Sequence, residues 1–279
     1  MGFLIRFARG FVAGEKIDDA IRETRAANAR GYDGILNLLG EHYREKDQVE
    51  DTVLEYQRVL EAIEKEKLRA SVSIKPSQFG LEFGRAYCET KVLPLFDRIR
   101  AMGGFLWIDM EGSRFTDDTL GMYEDLHHRH HDVGVCLQAN LRRTRKDLAR
   151  LLEIGGKVRL TKGAYREPEE TAYRRRADVD RSFGDLLKTL FERGDRFAVA
   201  THDGTFVEKA IKLARVHRRI WEFQMLRGIR EPLKRDLVTQ GYRVAEYIPY
   251  GPNWLPYFIR RLRERPRNVF TMFRSLVGG

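Results

Sequence analysis

The 279-residue chain repeats one pattern eight times. A short apolar run ends in small or polar residues, and a charged segment follows whose apolar residues recur about every 3.6 positions. The runs span residues 31–40, 70–77, 104–111, 133–140, 158–165, 197–203, 220–226 and 244–250. The segments between them predict helices over 49–68 and near 83–102, 117–130, 144–154, 169–193, 205–216 and 231–240, with a last helix opening at Pro256. Eight strand–helix units of roughly 30 residues each are what a (β/α)8 barrel needs. Runs this continuously apolar suit parallel strands covered by helices. The competing architecture is an open doubly wound sheet, but no GxGxxG follows the first strand. No linker, low-complexity tract or composition shift divides the chain. Residues 31–279 therefore read as one α/β barrel domain, and residues 1–30 as an amphipathic N-terminal helical segment.

With 42% hydrophobic and 33% charged residues, the chain has the composition of a soluble globular protein. No apolar run is long enough to span a bilayer. The opening Met1–Gly10 lacks the apolar core and cleavage pattern of a secretory signal. The two cysteines, Cys88 and Cys136, show no paired spacing and suit a reducing compartment. The expected location is the cytoplasm. The formal net charge of +10 suits anionic partners, so peripheral contact with an anionic membrane at its inner face stays open. A nucleic-acid partner rests on that charge alone, with no recognised nucleic-acid fold, and is not expected.

In a (β/α)8 barrel the active site gathers at the C-terminal ends of the strands. Those ends carry Glu41, Lys75, Asp109, Glu111, Gln138, Asn140, Arg159, Lys162, Tyr165, Thr201, His202, Asp203, Gln224 and Tyr247. Some polarity is normal at strand ends. Lys75, Asp109 and Arg159, however, lie within or at the last turn of apolar strands, where a charge must meet an opposite charge or a ligand. Arg159 alternates with Leu160, which aims it toward the barrel mouth. Gly163, lacking a Cβ, either lets backbone approach a ligand or makes a tight turn. The histidines at 127, 128, 130 and 131 cluster at a helix end, where a solvated terminus explains them better than a metal, so no metal site is expected.

Near the C-terminus, Tyr257, Arg260, Arg261 and Glu264 fall at i, i+3, i+4 and i+7, on one helical face. Two neighbouring guanidiniums beside an aromatic ring make a clamp for a small carboxylate. A basic surface helix snorkelling over the core is the plainer reading of the same spacing.

Six ordered motifs decide between them: Val72-Ser-Ile-Lys-Pro-Ser77, Ile108-Asp-Met-Glu111, Val158-Arg-Leu-Thr-Lys-Gly-Ala-Tyr165, Ala200-Thr-His-Asp203, Glu222-Phe-Gln-Met-Leu226 and Tyr257-Phe-Ile-Arg-Arg261. Together, over about residues 30–270, they resemble the proline dehydrogenase family in its bacterial monofunctional form. The resemblance implies a distorted (β/α)8 barrel with the last helix over the mouth. It implies a non-covalent flavin, FAD rather than FMN, and oxidation of L-proline to 1-pyrroline-5-carboxylate by hydride transfer to flavin N5. Electrons would pass to a membrane quinone. Carried over by position, Arg260 and Arg261 hold the substrate carboxylate with help from Lys75. Tyr165, Leu226 and Tyr257 box the ring, and Asp109 orients the cluster through charge. Arg159 sits beside the flavin. Met110, Gln138, Thr161, Lys162, Gly163, Ala164, Thr201, His202 and Gln224 are the further flavin contacts it implies. Glu41 would pair with an arginine of the last helix as the site closes. The rival enzyme class is a Schiff-base lyase or aldolase using Lys75 or Lys162 as nucleophile.

Overall fold

All eight apolar runs form strands in the computed structural model, which describes residues 10–255. In order they are β1 (Asp33–Leu38), β2 (Ala70–Ile74), β3 (Leu106–Ile108), β4 (Val133–Gln138), β5 (Val158–Thr161), β6 (Arg196–Ala200), β7 (Ile220–Leu226) and β8 (Val244–Tyr250). Each pairs in parallel with its sequence neighbours, and β8 returns to β1 with Ile35 opposite Tyr247, closing the barrel. The helices are α1 (Ile17–Ala29), α2 (Lys46–Glu66), α3 (Arg85–Ala101), α4 (Thr116–Arg129), α5 (Thr144–Glu153), α6 (Arg176–Arg193), α7 (Gly204–Val216) and α8 (Glu231–Thr239). The helix expected after β8, with Tyr257, Arg260 and Arg261, lies outside the described residues.

Two differences from the sequence reading have physical causes. The helix expected over 169–193 begins only at Arg176. The residues before it are tied to the loop after β4: Arg142 N donates to Thr171 O at 3.0 Å and Tyr173 N to Asn140 O at 2.8 Å. Strand β5 ends at Thr161, because Gly163 adopts a left-handed backbone (φ 100°) and a Cβ there would overlap the Asn140 side chain.

Period-two alternation sends Ile35, Trp107, Ala198 and Ala245 into the barrel, where with Phe105 they form a packed apolar floor. Gly134 lies opposite Trp107 in register, and a Cβ on it would sit 2.4 Å from the indole, so glycine makes room for that ring. The larger core fills the space between strands and helices. On α2, for example, Val49, Tyr56, Val59, Leu60 and Ile63 form one buried stripe. Tyr56 reaches the sheet from this helix, donating to Ser73 O at 2.6 Å and accepting from Leu38 N at 3.2 Å.

Helix α1 packs against β1 and β8. The segment before it runs beside the end of β8, with Ala13 N donating to Pro249 O at 2.8 Å and Gly251 N to Gly14 O at 2.9 Å. On the outer side, α8 is pinned to β8 by a fully buried ion pair, Lys234 with Glu246. Burial pushes the Glu246 carboxyl up while Lys234 pulls it down. Lys234 Nζ also donates to Leu226 O at 3.3 Å, which ties this helix to the end of β7.

Removing Lys234 leaves the buried Glu246 carboxylate with only the partly exposed Arg30, 3.2 Å away, as its cation among the described residues. Lys234→Met should therefore lower the unfolding free energy by about 3 kcal/mol in urea titrations, and adding Glu246→Leu should recover a large part of it. A Lys234→Met protein as stable as the native one would show that the pair contributes nothing.

Candidate active site

The polar ring above the apolar floor is centred on Asp109, immediately after β3. Its carboxylate accepts hydrogen bonds from Ser73 Oγ (2.8 Å), Lys75 Nζ (2.9 Å), Arg159 Nη1 (2.6 Å) and Tyr247 Oη (2.7 Å). Burial alone would raise this acid. Lys75, Arg159 and the Tyr247 hydroxyl outweigh burial and hold it at about 2. Tyr247 itself is pushed well above the usual phenol range by burial and by Asp109, so it stays protonated and donates.

Arg159, on β5, reaches into the barrel. It stacks over Trp107 at 4.7 Å and over Tyr247 at 5.5 Å, and its Nε donates to Gln224 on β7. Its Nη2 is buried and has no hydrogen-bond partner among the described residues. Lys75 also donates to Asn37 Oδ1 at 3.0 Å, so the network takes in β1, β2, β3, β5, β7 and β8.

An arc of further polar groups runs over the tips of β4 to β7. Gln138 donates to Glu111 O at 2.8 Å and accepts from Ala164 N at 3.3 Å, joining the β3 and β5 loops. Thr161 Oγ1 donates to Leu137 O at 3.1 Å. Lys162 bridges Asp180 (2.6 Å) and Asp203 (2.8 Å) and lies over the Phe206 ring. Thr201 Oγ1 accepts from Asp203 N, and Asp203 caps α7 through Thr205 N. His202 Nε2 accepts from Leu226 N at 2.9 Å. Burial, then Lys234 and Arg230, push this imidazole down to about 3, so it is neutral, with its proton on Nδ1. On the opposite rim, Tyr165 donates to Glu41 at 3.1 Å. Met110 is buried beside Asp109.

A model of the proline dehydrogenase family matches residues 20–272. The proline dehydrogenase of Deinococcus radiodurans is 34% identical over 280 residues, covering 98% of this chain and 90% of its own length. The chain belongs to the proline dehydrogenase family. Proline dehydrogenase 1 of Bacillus subtilis is 30% identical over 273 residues, 97% of this chain and 90% of that protein. Among solved structures, proline utilization A of Bdellovibrio bacteriovorus, inactivated by N-propargylglycine, matches with a TM-score of 0.85 at 24% identity. It covers 94% of this chain, which spans about a third (33%) of that much longer one, and the likeness speaks for the barrel fold.

Within this family member, the structure brings Lys75, Asp109 and Arg159 into direct contact, and Gln138, Thr161 to Ala164, Thr201, His202, Gln224 and Leu226 onto one side of the mouth. Tyr257, Arg260 and Arg261 lie outside the described residues. Both candidate lyase nucleophiles are ion-paired, Lys75 to Asp109 and Lys162 to Asp180 and Asp203. A lysine nitrogen held by carboxylates in this way is not presented as a nucleophile for a substrate carbonyl. His127 is buried against Tyr123 and lies 3.0 Å from Ile154 O, a structural role. Cys88 and Cys136 are buried free thiols. No helix among the described residues is long and apolar enough to cross a membrane.

Sequence reasoning underweighted Tyr247 and missed Ser73, Asn37 and Trp107. The signal was present in the alternation: Ser73 precedes Lys75 by two residues and Trp107 precedes Asp109 by two, so each pair shares the inner face.

The depressed Asp109 acidity sets a stability term. It is fully present above the ordinary carboxylate range and is lost as pH falls through about 2. Asp109→Asn should therefore cost about 2 kcal/mol at neutral pH, and its deficit should shrink between about pH 5 and pH 2. Thermal melts of both proteins across that range check this, and a deficit independent of pH would refute the charge argument.

Proposed function

We propose that this chain oxidises L-proline to 1-pyrroline-5-carboxylate on a bound FAD and passes the electrons to a membrane quinone. The observation that carries this reading is the Asp109 cluster: two cations held at the inner mouth, one of them with a buried guanidinium nitrogen that has no partner among the described residues. Such a nitrogen suits a heteroaromatic ring edge that accepts a hydrogen bond, and a flavin has several such acceptors. The left-handed Gly163 and the polar arc around it fit the same group.

Gln138, Thr161, Lys162, Gly163, Ala164, Thr201, His202 and Gln224 would hold the flavin, together with Met110 and Arg159. When bound, a flavin would supply the two-electron acceptor for a hydride, at its N5. The chain's own residues do the rest. Lys75, with Arg260 and Arg261 from the helix expected after β8, would bind the carboxylate. Tyr165, Leu226 and Tyr257 enclose the apolar ring and exclude water, which fixes one C–H toward the cofactor. Asp109 keeps Lys75 and Arg159 in place and offsets their mutual repulsion. Arg159 holds positive charge where electron density arrives. Loss of the hydride from C5 and of a proton from nitrogen leaves the C5=N double bond of the product. Extraction and mass analysis of the bound nucleotide distinguish FAD from FMN. The net charge of +10 supports peripheral contact with an anionic membrane, where the quinone resides.

Purified protein should be yellow and should reduce a soluble quinone analogue only when L-proline is present. A colourless protein that traps substrate with borohydride would refute the reading in favour of a lyase. Arg260→Met or Arg261→Met should raise the proline KM by about tenfold or more with flavin content unchanged. Loss of flavin with unchanged substrate affinity would contradict the carboxylate role. Arg159→Ala should slow flavin reduction in anaerobic rapid mixing, and an unchanged rate would remove Arg159 from the reaction.

A further inference from the structure

The loop after β1 carries Glu41 and is held in an unusual way. His42 has a left-handed backbone (φ 59°), a conformation that a residue with a side chain keeps only where its surroundings impose it. The imposing group is Ser77, just after β2. Its Oγ accepts from His42 N at 2.8 Å, and its carbonyl accepts from Tyr43 N at 3.2 Å.

Ser77 is fixed in turn by Glu111, after β3. Ser77 N donates to Glu111 Oε2 at 2.9 Å, and Ser77 Oγ donates to Oε1 at 2.6 Å. Glu111 is fully buried, and its own carbonyl accepts from Gln138. A buried carboxyl held by two donors of one residue fixes that residue's position and rotamer together. The reaction described above makes no use of it. Among the described residues, Lys75, Glu41, His42 and the buried Cys88 thiol lie around it, and side-chain oxygen or nitrogen atoms of Glu41, His42 and Glu111 lie within 4.8 Å of one another. Burial pushes the Glu111 carboxyl up to about 7, with Glu41 adding to the rise and Ser77 and Lys75 opposing it. Glu41 meanwhile accepts from Tyr165 across the mouth.

We propose that Glu111 is a positioning residue: acting through Ser77, it sets the loop after β1 and so the place of the Glu41 carboxylate at the rim of the substrate site. This rests on the proposed oxidation of proline at that site. The latch is relayed through three loops, Glu111 to Ser77 to the His42 and Tyr43 amides. It touches neither the substrate nor the residues that enclose the ring, and it acts on the substrate site through Glu41.

The test uses the flavin-loaded full chain. Glu111→Ala should raise the proline KM by about tenfold while kcat and flavin content change much less. Glu111→Gln keeps the shape and most of the hydrogen bonding, and should restore most of the loss. The relay predicts non-additivity: adding Glu111→Ala to Glu41→Gln should change KM little beyond Glu41→Gln alone. Fully additive effects, or a Glu111→Ala enzyme with native KM, would overturn the proposal. Should Glu111→Ala fail to fold, Ser77→Ala carries the same test. It should raise KM and speed amide hydrogen exchange at His42, whose acceptor is the hydroxyl removed, and native exchange there would overturn the latch. If the native protein does not oxidise proline, the functional reading fails, yet the exchange measurement still reports on the latch.

Discussion

One carboxylate, Asp109, receives hydrogen bonds from Ser73, Lys75, Arg159 and Tyr247, side chains brought from β2, β5 and β8 to the end of β3. Two cations facing into a buried space would repel each other and lose their hydration. The shared anion between them offsets both costs, and its acidity records how strongly it does so. With Asp109 occupied in this way, Lys75 and Arg159 present a fixed positive field to the mouth without being free to fold back. An anionic substrate and an electron-accepting ring both profit from charge that needs no rearrangement when they arrive.

The barrel makes this arrangement possible from below. The floor of Ile35, Phe105, Trp107, Ala198 and Ala245 closes the interior to water and gives Arg159 an aromatic surface to lie on. Parallel pairing all the way round fixes the register, so inward residues from several strands meet in layers across the barrel. The outer fastenings serve the same end. The buried Lys234–Glu246 pair secures α8 against β8, while Lys234 and His202 hold the backbone of Leu226, one through its carbonyl and the other through its amide. Neutral His202 can accept that amide only because burial and nearby cations keep it unprotonated.

Much of this was legible in the sequence. The alternation of apolar runs and amphipathic segments placed every strand, because burial on both faces leaves little freedom for anything else. Charges inside apolar strands marked Lys75, Asp109 and Arg159, because no buried charge stays without a partner. The ordered motifs gave the family. Less legible were features that depend on partners far away in the chain. Nothing local in Gly134 says that an indole fills its space. Tyr247 and Ser73 look like ordinary strand residues until β3 and β8 bring them to one carboxylate. The long segment before Arg176 read as helix from its charge pattern, but its hydrogen bonds go to the loop after β4 instead.

The most direct check is a crystal structure of the flavin-loaded protein with a five-membered ring carboxylate that lacks the amine and so cannot be oxidised. The expected result is a carboxylate within hydrogen-bond reach of Lys75 Nζ, a ring enclosed by Tyr165 and Leu226, Arg159 against the flavin, and Asp109 still bonded to both cations. A ligand bound away from the ring of strand tips, or an Asp109 turned away from Lys75 and Arg159, would contradict the central role given to that carboxylate.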